Sequence, residues 1–269
     1  MIQWPNRTLP QHAQKTLDQY QISVDAMADY EQRVARAKTD FERYNCKGNK
    51  TFDAIKDALT KMCSGAQRCA YCEDSAADEV EHVKPKNLYP EAAFVWLNYV
   101  YACGPCNGPK SNHYAVIDPN TGACIDVTRK RNAPVVPPHK GAPMLIDPRT
   151  EDPCNWLRLD IENTFCFSPC MGIGPVEHER AKYTIDTLGL NKRTYLRKAR
   201  EQAFMDYLAL LKQYRSDRDQ RVSLVKLRSI EKHIRGRGHP TVWSEMKRQH
   251  DVVSSLKKLF RDVPEALGW

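Results

Sequence analysis

Several things are missing from the 269-residue chain, and each absence excludes something. No apolar run approaches the roughly 20 residues needed to cross a bilayer, which excludes a membrane-spanning helix. The opening MIQWPNRTLPQH lacks the apolar centre of a secretory signal, so a soluble, cytoplasmic protein with no membrane partner is expected. No G-x-x-x-x-G-K-[ST] loop occurs, so any ATP dependence has to come from another chain. There is no internal repeat and no low-complexity tract. With 41% hydrophobic and 28% charged residues, the chain can pack one or two domains, and disordered, collagen-like and disulfide mini-protein classes are excluded.

What stands out is positive charge and cysteine. The formal charge is +8, unevenly spread: residues 191–269 hold 19 Lys and Arg against 9 Asp and Glu, a balance of +10, which leaves −2 on residues 1–190. A basic last third suits a polyanion such as nucleic acid, and a solvated helical face has the same composition. The ten cysteines, in a chain expected to stay in a reducing compartment, point to metal ligation before disulfides.

Helical spacing runs over residues 8–44, with Leu17, Tyr20, Val24, Met27, Val34 and Phe41 among polar residues, and a short helix is expected over 52–62. The proline-rich APVVPPHKGAP (133–143) reads as an extended crossing segment, with two short strands after it. Residues 177–188 are expected as a helix stopped by Gly189, with Asn191 capping the next. That next helix carries an apolar stripe of Leu196, Ala199, Ala203, Tyr207, Leu210, Leu211 and Tyr214, with Arg193, Arg197, Arg200 and Lys212 forming a basic face. Helical character continues over 222–234 and 241–260. Four segments follow: 1–63 helical, 64–132 central, 133–176 crossing, and 177–269 basic and helical.

Cys69 and Cys72 (CAYC) are followed, after thirty intervening residues, by Cys103 and Cys106 (CGPC). Two C-x-x-C pairs at this separation can bring four thiolates to one tetrahedral zinc; a redox dithiol or four core cysteines are the plainer alternatives. A closed four-sulfur site has no open position, so this zinc would staple the fold and leave catalysis to other residues. Cys166 and Cys170 (CFSPC) have the spacing of half of another site, without a partner pair. Cys46, Cys63, Cys124 and Cys154 are expected as small buried hydrophobes.

Inside the cysteine loop lies VEHVKPK, with Glu81 beside His82 in a short β-type stretch. Directly after the last cysteine comes Asn107, and three residues on comes Lys110, so a staple at the cysteines holds Asn107 near that stretch. The Glu81 carboxylate and the Asn107 amide carbonyl are hard oxygen donors suited to Mg²⁺ or Mn²⁺. His82 can act as a general base, and Lys110 can hold a phosphate as a point charge, a set that fits phosphodiester hydrolysis. The bland alternative is a surface Glu–His pair beside a structural zinc finger, with Asn107 as a cap or turn residue.

CAYCEDSAADEVEHVKPKNLYPEAAFVWLNYVYACGPCNGPK resembles the HNH (ββα-metal) endonucleases, in the variant where two C-x-x-C pairs bracket the motif. The resemblance implies Glu81 as a metal ligand and His82 as the catalytic histidine. It also implies Asn98, in W-x-N, as the residue that fixes the loop and orients His82. Asn107 then falls at the third motif position, and Lys110 ends the C-x-x-x-K pattern. Glu81 stands where Asp is commoner and Asn107 where His is commoner, which favours Mg²⁺ or Mn²⁺ over a softer ion. Over about residues 69–200, with MLIDPRTEDPCNWLRLD, ERAKYTIDTLGLN and RTYLRKAR, the chain is similar to the PtuB-type HNH nucleases of Septu-like and retron antiphage systems. That family works with an ABC-type ATPase, for which the Leu196–Tyr214 stripe or the helix over 8–44 is a candidate docking face, with core packing as the plainer role of either stripe.

The expected fold is therefore α+β and predominantly helical: a ββα-metal core stapled by a four-cysteine zinc and flanked by N-terminal and C-terminal helices. The expected activity is metal-dependent cleavage of DNA, with Lys84, Lys86, Lys110, Arg193, Arg197 and Arg200 gripping the nucleic acid. RNA cleavage, or a non-catalytic zinc module that binds nucleic acid or a partner, are the alternatives.

Overall fold

The computed structural model describes every residue except Ser75. Where one helical stretch was expected, there are two helices, α1 (Gln11–Asp25) and α2 (Tyr30–Tyr44). The break comes where Asp29 turns its carboxylate back onto the amide of Gln32 (2.8 Å) and starts a new helix. Asn49 does the same for α3 (Lys50–Met62), accepting from the amides of Thr51 and Phe52.

The central stretch forms an antiparallel pair, β1 (Glu79–His82) with β2 (Tyr99–Ala102), in which Glu79 faces Ala102 and His82 faces Tyr99. Helix α4 (Gly104–Lys110) follows at once. Next, β3 (Ala115–Ile117) pairs with β4 (Cys124–Asp126) and with the short β5 (Ala142–Pro143) that ends the proline-rich crossing segment. The two expected strands are β6 (Leu157–Leu159) and β7 (Phe167–Pro169). Helix α5 (Pro175–Thr187) ends at Gly189, whose φ of +57° lets the Leu190 amide reach back to the Ile185 carbonyl (3.0 Å). Helices α6 (Thr194–Asp219), α7 (Leu224–Arg235), α8 (Pro240–Arg248) and α9 (Ser254–Asp262) complete an α+β, predominantly helical fold. No helix among the described residues is long and apolar enough to cross a membrane.

One hydrophobic cluster draws on every segment, from Leu17 and Phe52 through Tyr99 and Leu157 to Tyr207 and Phe260. The α6 stripe is part of it: Leu196, Ala203, Tyr207 and Leu211 are buried in this core, so the stripe is not a free docking face. Asn191 does not cap α6. Its amide instead grips β7, accepting from the Phe167 amide (2.8 Å) and donating to its carbonyl (2.7 Å), which gives the LGLN sequence a structural reason. Cys46 and Cys124 are exposed, one in the turn after α2 and the other on edge strand β4, and Cys63 and Cys154 are half-buried, so none of the four is a fully buried hydrophobe, although Cys63 packs against the core.

Candidate functional site

The two cysteine pairs are brought together by the hairpin. The Ala70 amide donates to the Tyr101 carbonyl (2.8 Å), which hooks the first pair onto β2, while Cys103 starts α4 and Cys106 lies in its first turn. All four thiols are buried, and their sulfurs lie within 4.8 Å of one another. The Cys72–Cys103 separation is 3.7 Å. A tetrahedral zinc with bonds of about 2.3 Å spaces its sulfurs about 3.8 Å apart, so this cluster can hold a structural metal such as zinc. Cys166 and Cys170 join no such group; the Cys170 thiol turns to the Cys154 carbonyl.

Arg193 stands beside the cluster. Its guanidinium donates to the Cys106 sulfur (3.1 Å) and to the Leu188 carbonyl (3.1 Å), so it faces thiolates rather than a phosphate. Arg200 is also taken out of the expected basic face. It is 2% exposed, donates to the carbonyls of Phe165 and Leu190 (both 3.0 Å) and lies over the Phe167 ring. Both arginines hold the N-terminal end of α6 to the body of the protein; Arg197, between them, is half-buried.

Along β1 the pleat sends Glu79 and Glu81 to one face and Val80 and His82 to the other. Helix α4 covers the glutamate face. Lys110 is completely buried there, with its ammonium 2.5 Å from Glu81 Oε1 and 2.8 Å from the His82 carbonyl. It therefore cannot hold a substrate phosphate, as its position after the cysteines suggested; it clamps the strand and neutralises a buried carboxylate. Asn107 donates its amide Nδ2 to Glu79. Glu79 was not expected at the site, although standing two residues before Glu81 on a strand puts it on the same face. The oxygens on this side, from Glu81, Glu79 and the Asn107 amide, are hard donors, the kind that a Mg²⁺ or Mn²⁺ ion would need.

On the opposite face His82 is only 3% exposed, and Glu81 only 7%, which overturns the surface-pair alternative. The imidazole sits edge-on between Phe41 of α2 (centroids 4.4 Å) and its cross-strand neighbour Tyr99 (5.1 Å). Its Nε2 is 2.9 Å from the Ala93 carbonyl. A carbonyl only accepts, so Nε2 carries the hydrogen and the lone pair is left on Nδ1. Burial, and after it the charge of Lys86, push the His82 pKa well below its ordinary value, so the ring is neutral at pH 7.

The turn that supplies this carbonyl is itself pinned. Asn98 accepts from the Lys84 amide (2.7 Å) and donates to the carbonyls of Lys84 (3.0 Å) and Ala92 (2.8 Å). The Tyr99 hydroxyl donates to the Ala93 carbonyl (2.6 Å). Behind β2, Arg149 donates to the Tyr99 carbonyl (2.9 Å) and stacks on Trp96 (4.5 Å), which gives the DPR sequence a role as a prop for the hairpin. Of the two lysines after His82, Lys84 is exposed, and Lys86 is half-buried over the Phe41 ring.

No family model matches the chain. It is 36% identical over 77 residues to the Septu protein PtuB of Bacillus thuringiensis, a stretch that spans 27% of this chain and 29% of that protein. Over that part of its length, the chain is similar to a Septu protein.

Proposed function

We propose that the protein is a metal-dependent HNH-type endonuclease that hydrolyses phosphodiester bonds of DNA, serving as the nuclease of a Septu-like antiphage complex with an ABC-type ATPase. The observation that carries the reading is the tautomer of His82. A neutral imidazole, tied at Nε2 to a pinned carbonyl and free at Nδ1, sits on a β–β–α frame closed by four cysteines. The partial similarity to PtuB supports the defence setting.

In this reading Nδ1 takes a proton from water as the water oxygen attacks phosphorus, and Nε2–H donates to the Ala93 carbonyl as the imidazolium forms. Asn98 and Tyr99 hold that carbonyl in place, so the ring does not turn away from the substrate. Glu81 and Asn107 would hold Mg²⁺ or Mn²⁺, whose charge, when bound, would stabilise the phosphate and leaving oxygens. Lys110 fixes Glu81, and Glu79 fixes the Asn107 amide. Lys84 and Lys86 lie next to His82 in sequence and supply the nearest positive charge for the backbone of the substrate.

The test is nicking of plasmid DNA with Mg²⁺ or Mn²⁺, in the presence of the proposed ABC-type ATPase partner, by wild type and by His82→Ala at equal zinc content. Wild type should nick and leave 5′-phosphate ends, and the variant should not. Equal activity would remove His82 from the chemistry. Cleavage of tRNA with no cleavage of DNA would change the substrate, and no cleavage of either would leave a zinc module that only binds.

A further inference from the structure

Two lysines approach the Glu81–His82 stretch, and they differ in what their ammonium groups do. Lys110 has no exposure at all and is occupied by Glu81 and the His82 carbonyl. Lys86 is half-buried, and the contact that locates its ammonium is the face of Phe41, 4.7 Å from the ring centroid. The same ring packs edge-on against the His82 imidazole, 4.4 Å between centroids, so one side chain of α2 seats both the base and the cation. The charge of Lys86 is felt at His82, and Lys86 itself is drawn by the carboxylates of Glu81 and Glu42 and repelled, more weakly, by Lys110 and Lys38. Lys38 is exposed on α2, one turn before Phe41.

We propose that Lys86, aimed by Phe41, is a catalytic residue: the cation that contacts the non-bridging oxygens of the phosphodiester attacked by the His82-activated water. This rests on the nuclease reading above. Lys86 stays an ammonium throughout, neither giving nor taking a proton, and holds the charge that builds on the phosphoryl oxygens as the water adds. The carboxylates of Glu81 and Glu42 act on Lys86 through their charge, while its ammonium is seated on the aromatic face of Phe41, which pre-aims it toward an incoming anion. Helix α2 thereby becomes a wall of the site.

The experiment measures kcat and KM for DNA cleavage by wild type, Lys86→Ala, Lys86→Arg and Phe41→Leu, each checked for zinc content and far-UV circular dichroism. Removing a donor that acts on transition-state charge lowers kcat on the order of 100-fold, so Lys86→Ala should lose about that much in kcat with KM changed less. Lys86→Arg should recover part of the loss. Phe41→Leu, which keeps the apolar contact without the ring face, should fall between them. Lys86→Ala with wild-type kcat, or with a loss confined to KM, would overturn the proposal while leaving the nuclease reading intact. A wild type that cleaves nothing, with or without the ATPase, would overturn both.

Discussion

The cysteine-bracketed hairpin and the basic last third use charge in opposite ways. In the hairpin these charged and polar groups are buried and each is matched to partners: Lys110 with Glu81 and the His82 carbonyl, His82 with a carbonyl, Asn98 with three backbone groups. In the last third the balance is +10, yet many of its arginines are engaged within the fold. Arg215 pairs with Asp262, Arg218 with Glu265, Arg235 with Glu231 and Arg237 with Asp206, and Arg193 and Arg200 hold the start of α6. The excess that remains faces solvent as lysines such as Lys198, Lys212, Lys257 and Lys258. Net charge pointed to a region of the chain; residue spacing pointed to the candidate site.

The comparison can be broken most forcefully at the cysteines. Cys103→Ser should lose the bound metal and unfold the hairpin, because binding energy on the order of 10 kcal/mol is folding energy at such a site. One zinc per wild-type chain by metal analysis, and none in the variant, would check this. A well-folded zinc-free protein would contradict it.

Next comes the buried pair. Lys110→Met leaves the Glu81 carboxylate uncompensated and should destabilise by about 3–5 kcal/mol in denaturant titrations. Arg235→Ala, which breaks a solvent-exposed pair in the last third, should change stability by about 0.5 kcal/mol or less. Similar values for the two would erase the contrast.

A smaller effect is expected from acid. Burial alone would raise the pKa of Glu73, but the amino group of Met1 (3.1 Å), Thr241 and His239 outweigh it and hold the pKa below the ordinary 4.5. A lowered carboxylate contributes stability above its unfolded-state value and loses it as pH falls through the folded one. The melting temperature of wild type should therefore fall more steeply than that of Glu73→Gln between about pH 5 and pH 3. The smallest change concerns the surface: replacing Lys257 and Lys258 by Ala should reduce the salt slope of DNA binding by at most about 1 per lysine, with cleavage by bound enzyme unchanged.

How much of this was legible in the sequence follows the same division. The cysteine cluster, the short helix α3, the strand pair β6–β7 and the neighbourhood of Glu81, His82 and Asn98 were readable because spacing along the chain directly constrains them. The roles of Lys110 and Arg200 were not, because both depend on which side of a helix meets the core, and a long cation next to a motif looks the same whether it ends in water or on a buried carboxylate. Glu79 was legible in principle, from the two-residue period of a strand. The Phe41 contact was not, since it joins α2 to β1 across 41 positions of sequence that carry no pattern linking them. The DPR and LGLN sequences had no chemical reading until Arg149 and Asn191 were seen gripping backbone.

The central claim, that His82 Nδ1 is the base of a hydrolytic site, is tested most directly by His82→Gly with and without added imidazole, in DNA cleavage with Mn²⁺ and the proposed ABC-type ATPase partner. The account predicts an inactive variant whose cleavage returns as imidazole fills the space between Phe41 and Tyr99. Wild-type cleavage by His82→Gly without imidazole would contradict it.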